Sequence, residues 1–475
     1  MTDATLVERL GELAASATIG TLPADVSASV PHRVLDILGI CVRATMLDTS
    51  VAVLGLVAGD GGTPTATAIG LADRVPAPAA AFANGVLAHS LDYDDTHLPS
   101  ILHPSASVVP ASLAAAETAG ASGAALVGAI AAGLEIAVRL GMAGYDPDAN
   151  GGGGQSVYFE HGQHATSMCG AIGSAASAAI LLGGDAGDAA HAMAIAASMA
   201  SGIIEANRTG GTVKRIHCGL AAQAGVTAAR LVRAGLTGPP TALEGRFGFF
   251  SAFLRDEWRI APVIEGIGET WSVADIFYKP YPANHFTHGG IDAALRLRAA
   301  GLRPEEIVSA HLGVAAPAVR TIGEPLDMKQ SPPSGYQAQF SGPYTVATAL
   351  LGGSGLGFGL DDVTDEMARD PQRRALAAKI TVSGDPRCDA VYPNQLPAVL
   401  TVHTTDGRML VEEVLVNRGG PGNPLSNEEL RQKFVDNTDG LLGPADADAV
   451  VEACARLATL DSLAELMSPL RKVAR

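Results

Sequence analysis

From residue 4 to about 265 the apolar positions recur at helical spacing, with short Gly-, Pro- and Asp-rich joints between the runs. Leu6, Leu10 and Leu13 mark a first helix behind the candidate cap Asp3, and Val30, Val34, Leu35 and Leu38 mark a second after Pro23. Further helices are predicted at 78–88, 107–119, 124–140, 165–182, 189–201, 214–234 and 242–254, with one small strand at 65–69. Around residue 270 the period changes. Residues 271–278 read as a strand, 279–285 as a loop, 288–300 as a helix and 307–315 as an alternating segment. Strands follow at 379–383, 398–404 and 409–416, the last two joined by Thr405-Asp-Gly, a hairpin signal. Helices at 426–436 and 446–467 return the chain to α character.

The economical reading is a mainly α protein: a large all-helical domain with an inserted, smaller α+β domain. The boundaries fall at 1–268 for the first part of the helical domain, 269–424 for the insert and 425–475 for the returning C-terminal helices. At 475 residues the chain exceeds one ordinary core. Only 4% of residues are aromatic while 55 are glycine, so helices packed closely through small side chains are expected. A net charge of −17 and a pI near 5.1 disfavour nucleic acid as a partner. The five cysteines are scattered, which argues against a disulfide framework or a zinc ribbon. The N-terminus has no basic region followed by an apolar core, and the best membrane-span candidate, 168–184, is short of the roughly 20 residues a span needs. A cytoplasmic protein without membrane contact is expected. The glycine run 151–154 lacks the ending and context of a phosphate loop and reads as a loop.

Candidate chemistry gathers in a few places. His89-Ser-Leu-Asp-Tyr-Asp-Asp-Thr-His97, followed by His103-Pro-Ser, sets histidines among carboxylates in an apolar neighbourhood that shifts pKa values. On a helix through 89–96, Asp92 and Thr96 would lie one turn apart with His89 a turn earlier; the bland alternative is a solvated acidic turn. Glu160-His-Gly-Gln-His164 stands at the mouth of an apolar helix, where a histidine is either a cap or a partner for a substrate carboxylate beside free N–H groups. Lys214 and His217 would share a helix face as a carboxylate site, or form an ordinary basic edge. The loop Tyr278-Lys-Pro-Tyr-Pro-Ala-Asn-His285 carries Lys279, Asn284 and His285 on a frame fixed by prolines, whether as a functional loop or a structural crossover. A metal-dependent hydrolase is the competing class, but the spacing matches no zinc or two-metal pattern. A serine hydrolase lacks its Gly-x-Ser-x-Gly elbow.

Taken in order, His-Ser-Leu-Asp-Tyr-Asp-Asp-Thr, His-Pro-Ser, Gly-Gln-His-Ala-Thr-Ser, Lys-Arg-Ile-His, Leu-Glu-Gly (243–245), Tyr-Lys-Pro-Tyr-Pro and Ala-Gln-Phe-Ser-Gly-Pro-Tyr (338–344) resemble the MmgE/PrpD family over nearly the whole chain. The family includes 2-methylcitrate dehydratase, cis-aconitate decarboxylase and iminodisuccinate epimerase. The resemblance implies a helical domain with an α+β lid, a homodimer, no metal or organic cofactor, and an active site between the domains. It places active-site positions on Asp92, Thr96, His103, His164 and Lys214, with Lys279 and its loop contributed by the lid. Two departures stand out. The linker from Asp92 to His103 is about one residue longer than in decarboxylase-type members, and their lid-loop histidine aligns with Asn284, with His285 beside it.

These reactions share a carbanion- or enolate-like centre next to a carboxylate, which needs cations, N–H donors, an acid and a base. Lys214, Lys279 and His103 are assigned to carboxylate binding and charge stabilisation. His164 and Asp92 are assigned to proton transfer and Thr96 to orientation, while Asp94, Asp95 and His97 are read as support. The expected reaction is dehydration of a 2-methylcitrate-type acid, with epimerisation of an imino- or amino-dicarboxylate, or decarboxylation, as alternatives. A catalytically silent binding protein would not need this constellation.

Overall fold

The computed structural model describes residues 4–149 and 154–474. Asp3 and most of the 151–154 glycine run therefore lie outside the described residues. The first helix, Leu6–Ser16, starts after Thr5, whose N–H donates to the Glu8 carboxylate. The chain divides into two compact units, Met1–Ile276 with Phe434–Arg475, and Phe277–Lys433.

The first unit is helical. Its centre is Ala165–Leu181, packed on Gly123–Ala143, Ser105–Ala119, Ala186–Met199 and His217–Arg233. Small residues make that closeness possible. A Cβ at Gly173 would lie 2.3 Å from the Gly133 carbonyl oxygen, and one at Gly219 would lie 2.5 Å from that of Phe82. Gly123–Ala143 is long and apolar enough to cross a membrane, yet 89% of its apolar window is buried inside the protein, as in a core helix. Two buried guanidinium groups tie loops to this body. Arg33 reaches Asp95 and the carbonyls of Val273 and Ile276, while Arg139 holds Glu135 and the carbonyls of Val263, Glu265, Gly266 and Thr270.

The second unit is built on a sheet in the order Ile380–Gly384, Ile307–Val314, Ala398–Thr404, Met409–Val414. The first pair is parallel and the other two antiparallel. Ala310, Leu312 and Val314 alternate inward with Ala398, Leu400 and Val402 to meet Ile291, Ala294, Val346 and Leu350 on the helices His288–Ala299 and Gly342–Leu351.

Some local expectations fail, among them the following. The segment 65–69 forms only a bridge, Ala66 to Val75. Residues 271–278 hold a 3₁₀ turn, Ser272–Asp275, rather than a strand, because Arg33 takes the Val273 and Ile276 carbonyls that a sheet would need. The run 242–254 is helical only over Phe249–Leu254, since Gly248 packs back on the Leu243 and Ala242 carbonyls.

Candidate active site

The helix Ala77–His89 ends at its histidine: the Ser90 N–H bonds the Leu87 carbonyl, and Asp92 then takes φ 52°, in the left-handed region. This corrects the expected helix through 89–96. Asp92 and Thr96 do not share a helical face, because the chain reverses at Asp92. The loop is instead pinned by paired bonds between His97 and Leu102, His97 N–H to O at 2.8 Å and Leu102 N–H to O at 3.3 Å. That bridge brings Thr96 back to His103, its Oγ1 lying 3.2 Å from Nδ1.

Several helix ends converge here. His103 precedes Ser105–Ala119, His164 stands just before Ala165–Leu181, and His217 opens His217–Arg233. The C-terminal end of Ala77–His89 faces them. Its approach depends on Gly85, where a Cβ would lie 2.8 Å from both the Cys218 carbonyl oxygen and Gly219 Cα. Side chains stitch the ends together: Thr166 Oγ1 accepts the His103 N–H at 3.2 Å, and Ser167 Oγ donates to the His217 carbonyl at 3.1 Å. The result is a contiguous run of imidazoles. Ring centroids are 5.3 Å apart for His103 and His89, 5.6 Å for His89 and His164, and 5.1 Å for His164 and His217. Three helix N-termini add positive potential to this place.

The tautomers follow from the partners. A carbonyl can only accept, so His103 Nδ1, 2.8 Å from the Asp95 oxygen, carries hydrogen and leaves Nε2 as the acceptor when the ring is neutral. His164 and His217 meet Nδ1 to Nδ1 at 3.0 Å, so one donates and the other accepts. With both rings neutral, the donor keeps a bare Nε2 and the acceptor an Nε2–H. The pair thus offers one proton acceptor and one proton donor. Burial, then the charges of His89 and Lys214, hold His164 well below the usual histidine range and push His217 down to about 4. Lys214 sits on the 3₁₀ turn Val213–Ile216, so the α-helix begins at His217 rather than at Lys214 as expected.

The remaining acidic residues of the stretch sort themselves. Asp95 pairs with Arg33 at 2.8 Å and accepts from the Ser105 N–H and hydroxyl. His97, bonded to Ser100 at 2.7 Å, is pushed down to about 4 by burial. Asp94 does more than support: its Oδ2 is 2.8 Å from His89 Nδ1, both side chains buried. Sequence reasoning gave Asp94 only a supporting role and His89 no specific one. Their separation matches neither helical nor strand spacing, and only the helix end at His89 lets the chain fold back.

Lys279, Asn284 and His285 belong to the second unit. Lys279 is 2% exposed. Asn284 caps a 3₁₀ turn, Oδ1 accepting the Phe286 N–H at 3.1 Å, and His285 packs on His288 with centroids 4.5 Å apart and lies 3.4 Å from Asn417 Nδ2. Among the described residues no group of three or more His, Cys, Asp or Glu converges as a metal site.

With this geometry in view, two domain patterns match the chain, the MmgE/PrpD N-terminal domain over residues 8–261 and the MmgE/PrpD C-terminal domain over 281–457. The chain belongs to the MmgE/PrpD family. It is similar to the cis-aconitate decarboxylase of Homo sapiens, 29% identical over 407 residues, which is 84% of this chain and 80% of that protein. It is also similar to the cis-aconitate decarboxylase of Aspergillus terreus, 27% identical over 387 residues, covering 77% of this chain and 75% of that one. Decarboxylases are lyases, so the expected enzyme class stands with this membership. The names of these relatives point to decarboxylation, an alternative in the sequence reading, rather than to the dehydration placed first.

Proposed function

We propose that this MmgE/PrpD protein is a lyase acting on a small di- or tricarboxylate at the carbon next to a carboxylate, with decarboxylation of a cis-aconitate-type acid as the first reading. The observation that carries it is the buried imidazole run His103–His89–His164–His217 at converging helix N-termini, with Lys214 charging it. When CO₂ leaves, the broken bond's electron pair stays on carbon and spreads toward a neighbouring carboxylate, and one proton is then added to carbon. Lys214 and helix N–H groups suit the carboxylates, and the His164–His217 pair suits the proton. Thr96, beside His103, keeps its proposed orienting part, and Asp92 keeps its proposed part in proton transfer. No cofactor is needed for these steps, and a homodimer remains the expected assembly.

A second reading, dehydration of a 2-methylcitrate-type acid, is favoured by Asn284. The sequence resemblance sets it where decarboxylase-type members carry histidine, and its side chain is used as a cap. The test is incubation of the purified protein with cis-aconitate, 2-methylcitrate and an imino-dicarboxylate in D₂O, followed by NMR with trapping of CO₂. Expected is CO₂ release with one solvent deuteron in the product, lost in His164→Ala and Lys214→Ala. Water loss without CO₂ selects the second reading, and exchange at the α-carbon without net product selects an epimerase. Near-normal turnover in both folded variants overturns the site.

A further inference from the structure

His89 ends its helix at the middle of the imidazole run and has been given no chemical role in the reading above. Its side chain is 1% exposed and flanked on both sides, by His103 at 5.3 Å and His164 at 5.6 Å between centroids. Nδ1 lies 2.8 Å from Asp94 Oδ2. A carboxylate only accepts, so Nδ1 carries the hydrogen and the state of the ring is decided at Nε2. That atom is buried and reaches no nitrogen or oxygen partner, the thiol of Cys218 being the polar group beside the ring. A buried ring nitrogen met at best by a weakly bonding thiol is costly to keep unless a stronger partner fills the bond during function.

We propose that Asp94 and His89 form a buried carboxylate–imidazolium pair whose Nε2–H is the donor that meets a substrate oxygen in this cluster, with Asp94 as the positioning residue. The proposal rests on the carboxylate reading given under Proposed function and adds the group that opposes developing negative charge. Burial alone would lower the basicity of His89, but the adjoining Asp94 charge outweighs it and raises the ring above the ordinary histidine value. The groups facing the pair are Cys218 from the helix His217–Arg233, His164, His103, Lys214, Cys41 behind Asp94, and Asp95. The charged His89 in turn helps keep His164 neutral. One environment thus drives two neighbouring imidazoles apart, one held as a cation and the other as an acceptor.

The experiment is ¹⁵N spectroscopy of histidine-labelled full-length protein without substrate at pH 7.5, the His89 signals being assigned by their loss in His89→Gln. Both ring nitrogens of His89 should be protonated in the wild type, and one should lose its proton in Asp94→Asn. On the acid turned over by the wild type, Asp94→Asn and His89→Gln should each lower kcat by about 10²-fold with KM moved only a few-fold, the scale of losing one oxyanion donor. The alkaline limb of the kcat profile should move to lower pH in Asp94→Asn, and Asp94→Glu should restore part of the rate. A neutral His89 in the wild type, or an imidazolium that persists in Asp94→Asn, overturns the pair. Because the wild-type spectrum needs no substrate and only His89→Gln for its assignment, it decides even if Asp94→Asn does not fold. An imidazolium present while no carboxylic acid is turned over supports the pair and sinks the reaction instead.

Discussion

Replacing Arg33 by alanine should be among the most damaging single changes outside the imidazole run. The guanidinium is 1% exposed and makes a 2.8 Å bond to Asp95, and its other nitrogen holds the carbonyls of Val273 and Ile276 at 2.8 and 2.9 Å. Alanine leaves a buried carboxylate supported only by Ser105 and strips both carbonyls of this partner. Breaking a buried pair from one side costs about 3–5 kcal/mol, a large share of the roughly 5–15 kcal/mol that holds a typical domain together. Asp95→Asn should cost less, since the amide still accepts from Ser105. Combining Arg33→Met with Asp95→Asn should cost less than the sum, with a coupling of about 1–3 kcal/mol.

The pH dependence gives this prediction a sign. Burial lifts the Asp95 carboxyl above its ordinary value although Arg33 and Ser105 pull it down. A folded carboxyl raised above its unfolded value binds protons more readily than the unfolded chain does, so its ionisation subtracts stability as pH rises through that window. Without Arg33 the carboxyl rises further. The penalty of Arg33→Ala should therefore be largest near neutral pH and shrink on acidification toward pH 4. Urea unfolding followed by circular dichroism between pH 4 and 7.5 measures both. A penalty under about 1 kcal/mol with unchanged m, or one that grows on acidification, would refute the reasoning.

Other outcomes can be checked alongside. His97 and His217 sit near 4 in the folded state, below the unfolded value of about 6.5, so stability should fall as pH drops from 6.5 toward 4. His97→Asn, which keeps a partner for Ser100, should flatten that slope by up to about 3 kcal/mol in unfolding measured at each pH. Gly85→Ala drives a Cβ into the Cys218 carbonyl, so thermal unfolding should show a loss of about 1–3 kcal/mol. Its turnover should fall further than the folded fraction does, because His89 shifts with the helix. Thr96→Val removes the hydroxyl beside His103 Nδ1 while the Asp95 carbonyl still holds the ring, so steady-state kinetics should show a modest loss, about tenfold or less, against about 10²-fold or more for His164→Ala.

How much of this was legible beforehand depends on the range of the forces involved. Hydrophobic periodicity placed the helices at 105–119, 123–143 and 165–181 within a few residues, and alternation with a Thr-Asp-Gly turn placed the hairpin of Ala398–Thr404 and Met409–Val414. Such patterns are local, set by neighbours one turn or one pleat away. The turn at 271–278 was misread because its carbonyls at Val273 and Ile276 are claimed by Arg33, some 240 residues away along the chain. The strong histidine and carboxylate motifs were visible as residue types. Their grouping was not.

The sequence by itself determined the helical body, the α+β segment, the family and the short list of residues able to do carboxylate chemistry, because each rests on local spacing or on ordered motifs. The tertiary structure decided which of them meet. Glycines at 85, 170, 173 and 219 let helices approach closely enough for distant helix ends to share one place. The left-handed turn at Asp92 then separates two jobs within one acidic stretch: Asp95 braces Arg33, while Asp94 backs His89. A carboxylate's role here follows from which buried cation it reaches, and only the folded chain sets that distance.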